Sequence, residues 1–512
     1  MEQIPSRITR RIFLKTSALA AGAAVAGGCT PLLRKASQRP NILYLMTDQH
    51  RGDCFGCANN SVIRTPNLDS IAKDGVFFSN AYTSVPSCTP ARSGILTGLS
   101  PWHHGMLGYG RMSNKYHLKL PQAMRDAGYY TFGIGKMHWF PQKTLNGFHG
   151  TLVDESGRVE TPGFTSDYRI WFRQQAPDLD PDATGIGWND YRAGSYVLPE
   201  QLHPTYWTAQ MAVDFINGYN KTQPFMLKVS FARPHSPYDP PKRFMEAYNE
   251  SDMPAPSIGK WAARFAGHEE PPPYNLWHGD LGTAQAKKSR RGYYGSISFI
   301  DEQIGHILNA LKKRGMYDNT LIIFFADHGD MLGDHYHWRK TYAYEGSAKI
   351  PMLLRWPGYF GYNHMRGRNL SHVVELRDVL PTFLDAAGTR IPAHLDGMSL
   401  LRLVRGQVKD WRPFIDLEHA VCYDDSTNWH ALTNGSFKYI YHASNGWEQL
   451  FDLVNDPGER NDLATEPKYQ STLEMWRGRL IKHFAERGPA FVSGGKLTIR
   501  RNQILYGRLF PR

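Results

Sequence analysis

The densest run of chemically capable residues is Ser87-Cys88-Thr89-Pro90-Ala91-Arg92-Ser93-Gly94-Ile95-Leu96-Thr97-Gly98. Proline suits the first turn of a helix, where its missing N–H costs nothing, so Pro90 puts Cys88 at a helix N-terminus. Free backbone N–H groups and the helix dipole favour an anion there. Arg92, one turn later, adds a planar, always protonated fork for anionic oxygens. The segment reads as an anion site with a reactive group inside it.

Further polar residues follow apolar runs that read as strands. Asn41 to Thr47 runs into Asp48 and Gln49, Tyr129 to Gly133 into Lys136 and His138, Phe225 to Phe231 into Arg233 and His235, and Leu321 to Phe325 into Asp327 and His328. In an open parallel sheet, ligands bind beyond the carboxyl ends of the strands. One such residue alone is an ordinary turn or cap residue, whereas four strands delivering acids, cations and imidazoles to one edge describe a site. Asp48, Gln49 and Asp327 offer the hard oxygen donors that calcium or magnesium takes, and His328 offers a nitrogen. The set is not thiolate-rich, which argues against a structural zinc.

The elements that must position these groups alternate along the chain. Thr65-Pro66-Asn67 starts a helix that stops near Gly75, Leu120 to Ala127 forms another, and Ile300, Ile304, Ile307, Leu308 and Leu311 share one face of a long helix ending at Gly315. A helix from about Arg377 to Ala387 closes the large unit. This alternation predicts an α/β fold, a large and mostly parallel sheet sandwiched by helices. Residues 150–200 and 250–290 show no clear periodicity and read as surface insertions that shape a binding site. Across 410–465 the runs Phe437 to Tyr441 and Leu450 to Leu453, broken by Asn434-Gly435, Asn445-Gly446 and Asp456-Pro457-Gly458, predict a smaller C-terminal antiparallel sheet.

At 512 residues the chain is long enough for two compact units, and 41% hydrophobic with 21% charged residues is a globular composition. The expected division is an export leader over 1–28, a catalytic domain over 40–400 and a C-terminal subdomain over 401–512. The leader reading rests on Thr9-Arg10-Arg11-Ile12-Phe13-Leu14-Lys15, a twin-arginine pattern, and on the small and apolar run from Ser17 to Gly28. Ala26-Gly27-Gly28-Cys29 resembles a lipoprotein processing box, which would put a lipid anchor on Cys29 and the protein in the periplasm or at the cell surface. The formal charge is +12; Arg7, Arg10, Arg11 and Lys15 against Glu2 supply part of it, and the chain after residue 28 keeps +9. That excess favours an anionic partner. No nucleic-acid motif accompanies it, and an export leader takes the chain away from the cytoplasm. Cys54, Cys57, Cys88 and Cys422 are too few and too scattered for a disulfide scaffold, and no second pair completes Cys54-x-x-Cys57 into a zinc ribbon.

Cys88-x-Pro90-x-Arg92 followed by Thr97-Gly98 resembles the type I sulfatases of the alkaline phosphatase superfamily. The likeness extends over nearly the whole chain from about residue 40, through Thr47-Asp48-Gln49, Thr65-Pro66-Asn67-Leu68-Asp69, Gly135-Lys136-Met137-His138, Arg233-Pro234-His235, Asp327-His328-Gly329-Asp330, Lys340 and the tail around Leu450 to Ala464. The resemblance implies an alkaline phosphatase-like fold and sulfate-ester hydrolysis. It implies that a formylglycine-generating enzyme converts Cys88 to formylglycine (3-oxoalanine), whose hydrate attacks sulfur. It also implies one calcium ion held by Asp48, Gln49, Asp327, His328 and residue 88. The family often has Asp where Gln49 stands and Asn where His328 stands, so this site carries less negative charge. By the same carry-over, Arg92, Lys136 and Lys340 supply positive field, His235 is the acid for the departing alcohol, and His138 is the base that helps release sulfate. The expected substrate is a sulfated saccharide, with the aromatics of the insertions, Trp171, Trp188, Tyr191, Tyr206 and Trp207, as stacking surfaces. The rival readings are a phosphonate monoester or phosphodiester hydrolase or a choline sulfatase of the same superfamily, and, in a different class, a non-catalytic glycan-binding lipoprotein.

Overall fold

The computed structural model describes residues 39–512 apart from positions 421, 425 and 426. The twin-arginine segment and Cys29 lie outside the described residues. Among the described residues no helix is long and apolar enough to cross a membrane.

Eight strands form the main sheet: β1 (Asn41–Asp48), β2 (Val76–Phe78), β3 (Tyr130–Gly135), β4 (Gly150–Val153), β5 (Phe225–Pro234), β6 (Thr320–Ala326), β7 (Met352–Arg355) and β8 (Arg368–Leu370). Their order is β4-β3-β5-β1-β6-β7-β2-β8. The pairs from β4 through to β6 are parallel, and only the contacts of β7 with β6 and with β2 are antiparallel. The sheet is mixed and mostly parallel, as the alternating pattern requires. The central strands are buried on both faces, which is why they read as largely apolar runs, with Lys228 and Ser230 of β5 buried among them.

Alternate residues of those strands feed two cores. Ile42, Tyr44 and Met46, with Leu321, Ile323 and Phe325, pack beneath α2 (Cys88–Thr97), α3 (Leu120–Asp126) and α6 (Val379–Ala386). Leu43, Leu45, Leu227, Val229, Ile322 and Phe324 face α1 (Pro66–Lys73), α4 (Pro204–Gly218) and α5 (Gly282–Lys313). α5 begins at Gly282, so the 250–290 stretch expected to be irregular contains the start of a 32-residue helix. Its first turns bury Ser289 and Arg290 among the aromatic residues, and that polar content hides the helical period. In the 150–200 stretch, β4 and a helix over Asp167–Gln175 likewise replace part of the expected loop.

The smaller sheet is antiparallel, with β9 (Ile415–His419), β10 (Trp429–Thr433), β11 (Phe437–His442) and β12 (Glu448–Asp452) in sequential order. One face shares a core with Tyr82, Met331, Tyr342 and Tyr344 of the large unit. The other is covered by α7 (Gln470–Phe484) through Leu473, Trp476, Leu480 and Phe484. The Trp429 indole N–H donates to the Thr341 carbonyl at 2.8 Å, so this sheet buttresses the loop that carries Lys340.

Candidate active site

The carboxyl ends of β1, β3, β5 and β6 deliver Asp48, Lys136, His235 and Asp327 to one place, and all four are fully buried. α2 points its first residue into the same place. Ser87 is extended and precedes the helix, Cys88 is its first residue, and Gly98 closes it in the left-handed conformation at φ 69°.

Arg92 ties the strand ends together. Its Nη2 stands 2.9 Å from both Asp48 Oδ2 and Asp327 Oδ2, and its Nη1 donates to the Lys136 carbonyl at 2.8 Å. Lys136 Nζ is 2.5 Å from Asp48 Oδ2 and 4.0 Å from Cys88 Sγ. Burial alone would raise the Asp48 carboxyl; Lys136, His235 and Arg92 outweigh it and hold the group well below the usual carboxylate range. Burial and Asp48 push the Cys88 thiol up, but Lys136, Lys340 and His328 bring it below its ordinary value. The cationic field therefore favours a negative charge at position 88.

His328 Nε2 lies 3.1 Å from Cys88 Sγ, 3.8 Å from Asp48 Oδ1 and 3.7 Å from Asp327 Oδ1. One ligand atom from each of Asp48, Cys88, Asp327 and His328 falls within 4.8 Å of the others. Two carboxylates and an imidazole around the residue 88 side chain fit a divalent cation that prefers oxygen and accepts one nitrogen. The Gln49 side chain is engaged elsewhere: its oxygen accepts from Lys340 Nζ at 2.8 Å and its Nε2 donates to Asp330 Oδ2 at 2.5 Å. Its backbone N–H donates to Asp327 Oδ1 at 3.1 Å, and the Tyr293 hydroxyl of α5 donates to its carbonyl at 2.5 Å. These bonds hold Gln49 at φ 64°.

The two candidate proton carriers differ. The ring of His235 can donate from Nδ1 to the Ser236 carbonyl at 3.0 Å, which leaves Nε2 to accept from Lys340 Nζ at 2.6 Å. Burial, then Lys340, push this imidazole well below its usual range, so it is neutral. Burial also lowers the Lys340 ammonium. The proton available on that side belongs to the Lys340–His235 pair rather than to His235 alone. His138, at φ 60°, is fixed by Glu155, which accepts from the N–H groups of Met137 and His138 at 3.0 and 2.7 Å. Its Nε2 is hydrogen-bonded to Arg158, and its buried Nδ1 has no partner. Burial and then Arg158 push it well below its usual range; because Arg158 can only donate, Nε2 is the accepting nitrogen and Nδ1 carries the hydrogen.

The residues singled out by their spacing thus meet in one buried cluster, except Arg233, whose guanidinium turns away to pair with Asp239 at 2.9 Å. Sequence reasoning did not single out Glu155, Arg158, Tyr238 and Asp330 as functional. Tyr238 donates to Asp330 at 2.5 Å and so orients the acceptor of Gln49. Asp330 lay in sight, three residues beyond Asp327, while Glu155 and Arg158 sit in a stretch without periodicity. Of the aromatics expected to stack on substrate, Trp207 and Tyr191 are core residues, 1% and 9% exposed. Trp207 packs with Tyr168, Phe172 and Leu202, and Tyr191 with Leu276 and Trp338. Trp188 alone of the five has an indole against the cluster, its ring centre 3.8 Å from that of His235.

An α/β sheet with an anion-binding helix N-terminus, a nucleophile position and a divalent-cation donor set at its strand ends defines a hydrolase of the alkaline phosphatase-like class. Comparison with known proteins fixes the family: the sequence model described as "Sulfatase" matches residues 40–389, and that of "N-sulphoglucosamine sulphohydrolase, C-terminal" matches residues 333–486. The chain is 38% identical to an arylsulfatase of Clostridium perfringens over 90% of its own length and 97% of the relative's. It is 31% identical to a choline-sulfatase of Rhizobium meliloti, with 87% of each chain covered. The solved structure of BT4656 in complex with its substrate D-glucosamine-2-N,6-O-disulfate superposes with a TM-score of 0.70 at 22% identity, covering 88% of this chain and 98% of that one. The chain belongs to the sulfatase family, and the protein is a sulfuric ester hydrolase.

Proposed function

We propose that this sulfatase removes sulfate from saccharides, with Cys88 oxidised to formylglycine by a formylglycine-generating enzyme and one calcium ion bound beside it. The observation that carries the reading is the placement of Cys88 at a helix N-terminus, 3.1 Å from His328 and 4.0 Å from the Lys136 ammonium. The hydrated aldehyde supplies an oxygen nucleophile and a route for releasing sulfate by C–O cleavage. Asp48, Asp327, His328 and residue 88 would hold calcium, which would supply positive charge to the sulfuryl oxygens; Gln49, expected as a further ligand, has its side chain bonded to Lys340 and Asp330 instead.

The chain's own groups perform the rest. Arg92 and Lys136 fix Asp48 and present cations to a bound sulfuryl group, which stabilises charge that develops on its oxygens. The Lys340–His235 pair faces the same space and gives a proton to the departing alkoxide. His138 is the residue that would take the proton whose loss releases sulfate from position 88, at the Nε2 to which Arg158 now donates. The saccharide assignment draws support from the +9 charge after residue 28 and from the fold shared with a structure holding a disulfated glucosamine. A second reading, choline sulfate, is favoured by the 31% identity to a choline-sulfatase. Measuring kcat/KM on a panel of sulfated oligosaccharides, 4-nitrophenyl sulfate and choline sulfate decides between them. A matched oligosaccharide exceeds the aryl sulfate by several powers of ten if remote sugar contacts bind the transition state; preference for choline sulfate over every oligosaccharide overturns the saccharide reading.

The twin-arginine leader would carry the folded, modified enzyme out of the cytoplasm, and the box ending at Cys29 would anchor it as a lipoprotein at the periplasmic or outer surface. Replacing Arg10 and Arg11 by Lys then strands active enzyme in the cytoplasm; undisturbed export of that variant contradicts the route.

A further inference from the structure

The half-buried indole of Trp188 is sandwiched into the catalytic cluster from the 150–200 stretch. Its ring plane lies 20° from that of His235, with 3.8 Å between ring centres. Lys136 Nζ stands 4.5 Å from the indole centre, and the Arg158 guanidinium 5.2 Å. The Lys136 ammonium is also 4.0 Å from Cys88 Sγ, so the nucleophile position and the indole flank one cation. Trp188 touches His235, half of the pair that protonates the leaving group, and so marks the leaving-group side of the site. Lys136 and His235 are fully buried, whereas the residues around Trp188 alternate between exposed and half-buried.

Two residues in left-handed conformation set the path of the segment that presents Trp188. Gly185 has φ 69° and Asn189 φ 65°, and a Cβ placed on Gly185 or on Gly187 would meet nothing within 4 Å. The far end is pinned by Asp190, which accepts from Arg192 Nη2 at 2.6 Å and from the Gly187 N–H at 3.3 Å. An indole over a cation and an imidazole is a flat apolar platform, the kind that takes the face of another ring.

Resting on the sulfatase reading, we propose that Trp188 determines leaving-group specificity: the surface its indole leaves exposed beside His235 takes the apolar ring face of an aryl or pyranosyl sulfate ester. Acyclic sulfate esters gain nothing from that platform. Because the stack adjoins the proton-donating pair, the residue selects for ring-bearing substrates at the bond that breaks.

The test is calorimetric binding to full-length, calcium-loaded protein carrying Cys88→Ala, which binds without turnover. Methyl sulfate, 4-nitrophenyl sulfate and glucose 6-sulfate each carry one negative charge and differ in the group attached. At least one ring ester binds tenfold or more tightly than methyl sulfate; adding Trp188→Ala removes that preference, and Trp188→Phe keeps most of it. Loss confined to the aryl ester or to the sugar ester supports the proposal and says which ring the platform takes. A preference unchanged by Trp188→Ala, or no preference in the Cys88→Ala parent, overturns the proposal and leaves the sulfatase reading intact. Failure of methyl sulfate and both ring esters to bind the parent overturns the sulfate-site reading, and this inference with it. Should Trp188→Ala not fold, Trp188→Leu is read in the same way.

Discussion

Lys340 and His235 are 105 residues apart in sequence, yet Nζ of the one stands 2.6 Å from Nε2 of the other. With His235 Nδ1 directed at the Ser236 carbonyl, the shared proton is the lysine's, and the two residues act as one donor.

Residues that act as a unit lose function together. Lys340→Ala and His235→Ala each lower kcat/KM by about 10²–10⁴, the range of general-acid catalysis, and the double variant is no worse than the poorer single one. Both lose less on 4-nitrophenyl sulfate, whose phenolate leaves without help, than on an alkyl or sugar sulfate. Multiplying effects in the double variant would show two independent roles.

The cluster of Asp48, Cys88, Asp327 and His328 offers a donor set for a divalent metal. Dialysis against a chelator abolishes turnover and lowers Tm, and calcium restores both. At a hundredfold excess over Kd the stabilisation is about 2.7 kcal/mol. Asp327→Asn blunts the calcium-dependent shift in Tm, which is read by calorimetry without any assay of activity. Full activity in the chelated enzyme would exclude the metal from the chemistry.

Lys438 tests the joint between the two sheets. It lies fully buried 2.8 Å from Glu345 and 2.9 Å from Glu459. Burial would raise Glu345, but Lys438 and Lys349 hold it at about 2, below the ordinary 4.5. Its contribution is therefore complete above pH 4.5 and is lost as pH falls toward 2. Glu459 is pushed up to about 7, by burial first and against the pull of Lys438, so it binds a proton more tightly folded than unfolded and stability falls as pH rises from 4.5 through 7. Removing the lysine steepens that fall. Lys438→Met costs about 3–5 kcal/mol at pH 8 and distinctly less at pH 5, measured by denaturant unfolding. An equal loss at both values contradicts the assignment.

Trp207 separates packing from function among the aromatics. It is 1% exposed in a cluster with Tyr168, Phe172 and Leu202, so Trp207→Ala costs about 3–5 kcal/mol of stability and leaves KM for 4-nitrophenyl sulfate as it was. A raised KM with unchanged stability would return Trp207 to the binding surface.

The parts legible in the sequence share a physical cause. β1, β5 and β6 are buried on both faces and read as apolar runs, broken in β5 by Lys228 and Ser230, and residues just after each run are among those at the site. α2 was marked by Pro90. β2, β4, β7 and β8 have only three or four residues each, too few to set a period. The start of α5 was masked because the face it buries carries Ser289 and Arg290. Gln49 was placed by residue type, but its side-chain partners, Lys340 and Asp330, come from a distant loop that sequence spacing does not locate. The stack of Trp188 on His235 has no sequence signal at all, since a tryptophan in an aperiodic stretch reads the same whether it faces a core or a site.

The most direct measurement compares kcat/KM for 4-nitrophenyl sulfate and for an aryl phosphonate monoester, using enzyme whose residue 88 has been shown by mass spectrometry to carry the aldehyde or its hydrate. The account predicts that the sulfate ester is the better substrate and that Cys88→Ala, still folded, has no turnover. Preference for the phosphonate, or full sulfatase activity with an unmodified thiol at position 88, would contradict it.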